Sequence, residues 1–266
     1  MRILYIGDVM AEMGMTTVEQ ILPELRAEQA IDVVIAQAEN VTDGKGFGVN
    51  DYQRLRRAGI DGFTGGNWTP YRKEILSMLS DPNVPVTGPA NMLDCPGPGY
   101  KYVDSPHGKV LIISLLGKIV GRDADRPVSN LIHKIEDILA SQAAVERVAT
   151  IVNVHGDFSS EKVVMGHYLD GRVSAVIGDH WHVPTADVQV LPKGTAHQTD
   201  VGMCGSFDSS LGVTLSSVIP RWRDEIQTKN ILETTGRRQF NGLLIDVDEE
   251  TGLATSASPV RKILEA

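Results

Sequence analysis

Short runs rich in Val and Ile alternate along this chain with longer amphipathic stretches, and that alternation restricts the fold more than any other feature. Residues 3–7 read as a strand, and residues 16–29 as a helix with Val18, Ile21, Leu22 and Leu25 at helical spacing. Residues 32–38 form a second apolar run too short for a helix. Residues 50–58 predict a helix with Asn50 as N-cap, residues 62–66 a short strand or turn, and residues 71–79 a helix stopped by Asp81-Pro82. Residues 95–99, rich in Pro and Gly, read as a loop. Residues 110–116 and 148–154 are buried-strand runs flanking a helix over 128–140, followed by a helix over 159–168 and a strand over 173–178. The runs at 188–191, 195–199, 239–246 and 260–264 alternate more openly and predict antiparallel pairing. With 266 residues and no internal repeat or linker, one mixed α/β domain spanning 1–266 is the simplest organisation.

In open α/β sheets ligands gather where strands end at their carboxyl side. The residues following the apolar runs are Asp8, then Glu39-Asn40, then Asn67, His155, and finally His180 and His182. Loops commonly end in polar residues, so each position alone says little; the convergence of carboxylate, amide and imidazole at successive strand ends carries the signal. At the end of a strand the i, i+2 spacing of His180 and His182 aims both imidazoles one way, and Gly178 permits a tight turn there. Oxygen and nitrogen donors without thiolate favour Fe, Mn or Zn, and Glu39 is placed to bridge two ions. Two cysteines, Cys95 and Cys204, without C-x-x-C exclude a thiolate zinc site and a disulfide framework.

Several segments resemble the YmdB family of calcineurin-like metallophosphoesterases. Asp8 within Ile6-Gly7-Asp8-Val9, Glu39-Asn40, Gly66-Asn67, His155 and Gly178-Asp179-His180-Trp181-His182 follow the order of metallophosphoesterase motifs. Residues 44–48, 160–162, 170–178, 184–187, 191–196 and 199–203 extend the match nearly end to end. The resemblance implies a β-sandwich of two mixed sheets flanked by helices, with two divalent or mixed-valence ions at the strand ends. It implies Asp8, Glu39, Asn67, His155, His180 and His182 as ligands, Glu39 as the bridge, and Asn40 beside the cluster on the substrate phosphate. The implied activity is hydrolysis of small phosphodiesters, including 2′,3′-cyclic nucleotides, by a two-metal-activated water. Family analogy adds the expectation of a homo-oligomer.

One position departs from the pattern. Where metallophosphoesterases usually read Gly-Asn-His, this chain reads Gly66-Asn67-Trp68. The family's histidine is taken to protonate the leaving oxygen or to stabilise phosphoryl charge. An indole has one N–H donor and no nitrogen titrating near neutrality, so Trp68 cannot shuttle a proton. Three readings follow: a phosphodiesterase that is weaker or altered in preference, a regulator that binds metal and nucleotide with little hydrolysis, or an esterase in which Trp68 stacks on an aromatic group. His167 and His197 are the unassigned histidines nearest in sequence to the metal motifs and the candidates to supply the proton, although each reads first as a surface or packing residue. Trp181, between the two histidines, is a candidate to cover the cluster or to form an aromatic wall with Trp68.

Other features narrow the field. Gly44, Gly46 and Gly48 lack the Gly-Lys-Ser/Thr ending of a P-loop and read as a loop over the site, with Lys45 available to a phosphate. Arg122 and Arg126 amid Asp123 and Asp125 read as a solvated charge cluster, and no Gly-x-Ser-x-Gly elbow is present. A net charge of −9 argues against a long nucleic-acid groove. The N-terminal apolar run reaches a charge at Asp8, too soon for a signal peptide, and no apolar run spans a membrane, so a reduced, cytoplasmic, soluble protein without a membrane partner is expected.

Overall fold

The computed structural model describes residues 1–121 and 124–266. Its first sheet contains β1 (Arg2–Ile6), β2 (Asp8–Val9), β3 (Val33–Gln37) and β4 (Gly62–Thr64). The second is built from β5 (Tyr100–Ser105), β6 (Gly108–Leu116), β7 (Ala149–His155), β8 (Ala175–Asp179), β9 (Gln189–Val190) and β10 (Ala196–Gln198). The chain then returns to the first sheet through β11 (Met203–Ser206), β12 (Arg238–Val247) and β13 (Ala254–Leu264). Both sheets are mixed: β1, β3 and β4 run parallel, as do β6, β7, β8 and β10, while β12 pairs antiparallel with β1, β11 and β13.

The period-two side-chain alternation of strands explains how two apolar layers arise from one run. Ile3, Tyr5, Val33 and Ile35 face Ile112, Ile151, Ile177 and Ala196 of the other sheet, forming the core between the sheets. Their neighbours Leu4, Ile6, Val34 and Ala36 face outward and are covered by Val18, Ile21, Leu22 and Leu25 of α1 (Ala11–Glu28) and by Leu55 of α2 (Val49–Arg57). On the far side, Ile113, Val152 and Val176 are covered by Ile135 and Ile138 of α4 (Leu131–Ser141) and Met165 of α5 (Ser159–Tyr168). Burial on both faces is why these strands read as continuous apolar runs. The short α3 (Leu76–Ser80) and α6 (Leu215–Arg223) bring the helices among the described residues to six.

Several boundaries differ from expectation. The first helix starts at Ala11, not residue 16, and α2 is capped by Gly48 without a side-chain bond, so Asn50 is not its cap. The helix expected over 71–79 is two 3₁₀ turns, Thr69–Tyr71 and Lys73–Ile75, running into α3. The four open runs do pair antiparallel, β9 with β10 and β12 with β13, and β10 also pairs parallel with β8 on its other side. Strands β5 and β11 and helix α6 escaped the sequence reading; Pro220 inside α6 interrupts its helical pattern. Arg126 pairs with Asp94 at 3.0 Å, and Arg122 and Asp123 lie outside the described residues.

Gly178 serves close packing and not a tight turn. It lies inside β8, where a Cβ would overlap the Thr199 carbonyl oxygen. Gly178→Ala is therefore expected to cost about 1–3 kcal/mol through overpacking, read as a lower urea midpoint at unchanged slope.

Candidate metal centre

The parallel strands of both sheets deliver their polar end residues to one edge of the sandwich. Asp8 follows β1, Glu39 follows β3, Asn67 follows β4, His155 ends β7, and His180 follows β8. Asp8, Glu39, Asn67 and His155 are at most 1% exposed, and His182 is 9% exposed. Gly66 lets the β4 loop press inward, since a Cβ there would overlap the His155 ring and Glu39 Oε2.

These groups form two linked poles. At one, His155 Nε2 stands 3.0 Å from Glu39 Oε1 and 2.9 Å from Asn67 Oδ1, and the His180 ring centroid lies 4.5 Å from that of His155. One donor atom each from Glu39, His155 and His180 falls within 4.8 Å of the others. At the other pole, His182 Nε2 is 3.2 Å from Asp8 Oδ2. Asn40 joins the two, its amide donating to Asp8 Oδ2 at 2.8 Å and to Glu39 Oε1 at 3.4 Å. The two histidines reach different poles because residues 180–182 leave the strand: His180 has φ 109° and His182 φ 62°, both left-handed conformations that bulky residues rarely adopt. Strand alternation does not orient them.

Electrostatics prepares the cluster for a cation. Burial disfavours charge on His155, yet the carboxylates of Glu39 and Asp179 outweigh it and hold the imidazole well above its usual range. Burial and the neighbouring His155 push His180 down to about 4, so its ring is neutral and its lone pair available at neutral pH. Burial raises the Asp8 carboxyl against the pull of His182. Asp8 Oδ1 and His182 Nδ1 are buried without a hydrogen-bond partner, a costly arrangement that a bound cation or its water shell would relieve. Hard oxygen and imidazole donors with these open valences fit divalent ions. Thiolates are absent from the set: Cys95 and Cys204 are free, and burial pushes each thiol up to about 12.

A supporting network that sequence reasoning missed lies behind His155. Its Nδ1 donates to Asp179 Oδ1 at 2.7 Å, while Asp179 Oδ2 accepts from Tyr5 Oη at 3.1 Å and Asn153 Nδ2 at 2.5 Å. This leaves Nε2 as the nitrogen facing Glu39, the orientation a metal ligand needs. Asp179 stood inside the quoted Gly178–His182 motif, next to His180, and its position was the only signal in the sequence.

Trp181 does not form a wall with Trp68. Its indole Nε1 donates to Asp157 O at 3.2 Å, and its ring carries the buried Lys162 ammonium at 4.3 Å. Lys162 in turn donates to Asp179 O at 2.6 Å and pairs with Asp200 at 3.2 Å, while Asp200 accepts the Trp181 backbone N–H at 2.8 Å, so Trp181 anchors the turn. The tryptophans lining the cavity over the candidate metal donors are Trp68 and Trp222. That cavity, about 450 Å³, is also lined by Glu39, Asn40, Lys45, His180, His182, Leu211 and Arg221. Trp68 is half-buried, its backbone N–H donates to Glu39 Oε2 at 2.8 Å, and Lys45 Nζ sits 3.4 Å from its ring centroid. Neither proton-donor candidate reaches the cluster. His197 is buried with Nδ1 2.9 Å from Val176 O, packed against Gly166, and His167 is exposed in the last turn of α5. The glycine loop runs directly into α2, and Thr42 Oγ1 accepts the Gly48 N–H and donates to Asp51, so this N–H is already taken within the loop.

The sequence model of the YmdB-like protein family matches residues 4–260. The chain belongs to this family. It is 36% identical over 253 residues to the 2′,3′-cyclic-nucleotide 2′-phosphodiesterase of Bacillus subtilis, covering 94% of this chain and 93% of the relative. Its fold superposes on a crystal structure of a novel phosphatase from Mycoplasma pneumoniae with TM-score 0.90, 27% identity, and coverage of 100% and 94%. A second superposition, on a hypothetical protein from Thermus thermophilus, has TM-score 0.88, 34% identity and full coverage of both chains. The two mixed sheets flanked by helices are thus the metallophosphoesterase sandwich that the motifs implied. No helix among the described residues is long and apolar enough to cross a membrane.

Proposed function

We propose that residues 1–266 form one metallophosphoesterase domain that hydrolyses small phosphodiesters, with 2′,3′-cyclic nucleotides as the leading substrate class. One observation carries this reading: strand ends of both sheets deliver hard donors to a single buried cluster that opens into the 450 Å³ cavity. Glu39, Asn67, His155 and His180 would hold one ion, and Asp8 and His182 the other, with Glu39 and Asn40 between them. Iron or manganese suits this oxygen and imidazole set best, with zinc as the alternative. When bound, the ions polarise the phosphoryl oxygens and supply an activated water.

The chain's own residues do the rest. Asn40 presents an amide between the poles to orient a phosphoryl oxygen, and Lys45 adds positive charge at the cavity wall. Asp179 holds His155 in register from behind. Trp68 can donate a hydrogen bond but cannot protonate a leaving alkoxide. The test compares bis(p-nitrophenyl) phosphate with 2′,3′-cyclic AMP on manganese- or iron-loaded protein. Turnover of either diester supports the enzyme, and turnover of the nitrophenyl ester alone assigns the deficit to Trp68. Silence on both, with metal demonstrably bound, would replace the enzyme by a metal- and nucleotide-binding regulator, the alternative that Trp68 raises.

Metal removal gives a separate check. Because the donors converge only in the folded chain, metal at 100 times its dissociation constant should add about 2.7 kcal/mol per independent site to folding stability. A chelator should lower the melting temperature accordingly; an unchanged transition would argue against a resident ion.

A further inference from the structure

Two cavities meet above the metal donors. The first is the 450 Å³ space just described; the second, about 890 Å³, runs outward along residues 225–230. Trp68, Arg221, Trp222 and Asn230 line both, so they form the throat between them. The throat is polar on its metal side, where Glu39, Asn40, His180 and His182 stand, and flat and apolar where the two indoles, Leu211 and Val218 stand. Its outer wall is braced: Arg221 Nη2 donates to Thr228 O at 2.9 Å and to Asn230 Oδ1 at 2.7 Å, tying the segment that follows α6 back onto the helix. Trp222 is 79% exposed, an unusual cost for an indole unless a ligand covers it.

We infer that Trp68 and Trp222 are specificity-determining residues that take the base of a nucleoside phosphodiester at this throat while its phosphate sits over the metal donors. The inference rests on the phosphodiesterase reading and adds to it the residues that would take the base. An anionic head joined to a flat aromatic body matches the polarity change across the cavity. A base offers a flat π-face to an indole, which a base-free phosphosugar lacks. Stacking accepts any base, because every base offers a π-face. Trp68 is held ready by Lys45 and by Tyr71, whose ring meets it edge-on at 6.0 Å. Trp222 supplies the other side, from the exposed face of α6.

The test measures binding and turnover separately. Titration of metal-free protein with 5′-AMP, followed by calorimetry, should give an affinity that Trp222→Ala weakens about 10-fold and Trp222→Phe largely preserves. With metal bound, the wild type should prefer 2′,3′-cyclic AMP over base-free ribose 2,3-cyclic phosphate by about 10-fold or more in kcat/KM, and Trp222→Ala should collapse that ratio. Trp222 is exposed, so the variant is expected to fold, as its thermal transition will report. Equal handling of the two esters by wild type, or an unchanged AMP affinity in Trp222→Ala, overturns the base site while leaving the enzyme reading intact. Absence of turnover on every diester overturns the enzyme reading, and the calorimetric arm then still decides the base site.

Discussion

Glu39→Gln is expected to lower kcat/KM for any diester by about 10³-fold or more and to reduce bound metal in elemental analysis. The carboxylate is 1% exposed, with Oε1 3.0 Å from His155 Nε2 and Oε2 accepting the Trp68 N–H at 2.8 Å. In the proposed site it would bridge the two poles, so an amide there would remove negative charge that both would use. Charge stabilisation by a metal is worth several kcal/mol in a transition state, and each ~1.36 kcal/mol is tenfold in rate. The variant also leaves His155 without its buried anion on the Nε2 side, although Asp179 still holds the ring from Nδ1 at 2.7 Å. A near-isosteric side chain limits repacking, so the loss should appear without a large change in fold. Retention of full metal content and more than a tenth of the activity would remove Glu39 from the ligand set.

Trp68→His should change reactions with poor leaving groups and spare those with good ones. Nitrophenolate departs without a proton, whereas a ribose oxygen gains from an acid, a contribution of about 10²–10⁴-fold. The variant is therefore expected to raise kcat for 2′,3′-cyclic AMP by about 10²-fold and to shift that for bis(p-nitrophenyl) phosphate by less than about 3-fold. The gain falls at the lower end of this range because Lys45, now 3.4 Å from the indole centroid, would stand beside the new imidazole and disfavour its protonated form. Replacing an indole with a smaller ring should raise KM in the same variant if Trp68 stacks on a base. Equal effects on both esters would mean that position 68 shapes the cavity and does no proton chemistry.

The donor list was legible because it depends on local properties. A strand buried on both faces is a run of Val and Ile, and its direction carries the next residue to the edge of the sheet. Asp8, Glu39, Asn67 and His155 could be read in this way, and each lies at the edge where it was expected. The substitution at position 68 was likewise a matter of sequence alone.

What surrounds the donors depended on contacts between distant segments. Trp181 was assigned to the cavity by adjacency to two histidines, but Asp200 takes its backbone N–H and Lys162 takes its ring, so it anchors the turn. Trp222, on a helix hidden by Pro220, lines the cavity in its place. The support of His155 by Asp179, Tyr5 and Asn153 joins three strands, and no spacing along one strand encodes it. The sequence by itself thus determined the mixed α/β class, the hard donors at the strand ends and the departure at Trp68, because side-chain periodicity and residue type are local; the two-sheet sandwich came from the family resemblance and not from periodicity. Only the tertiary structure decided how the donors divide into two poles, which indoles line the cavity and which histidines stand apart, because side-chain direction after a strand's last residue is set by whatever packs against the loop.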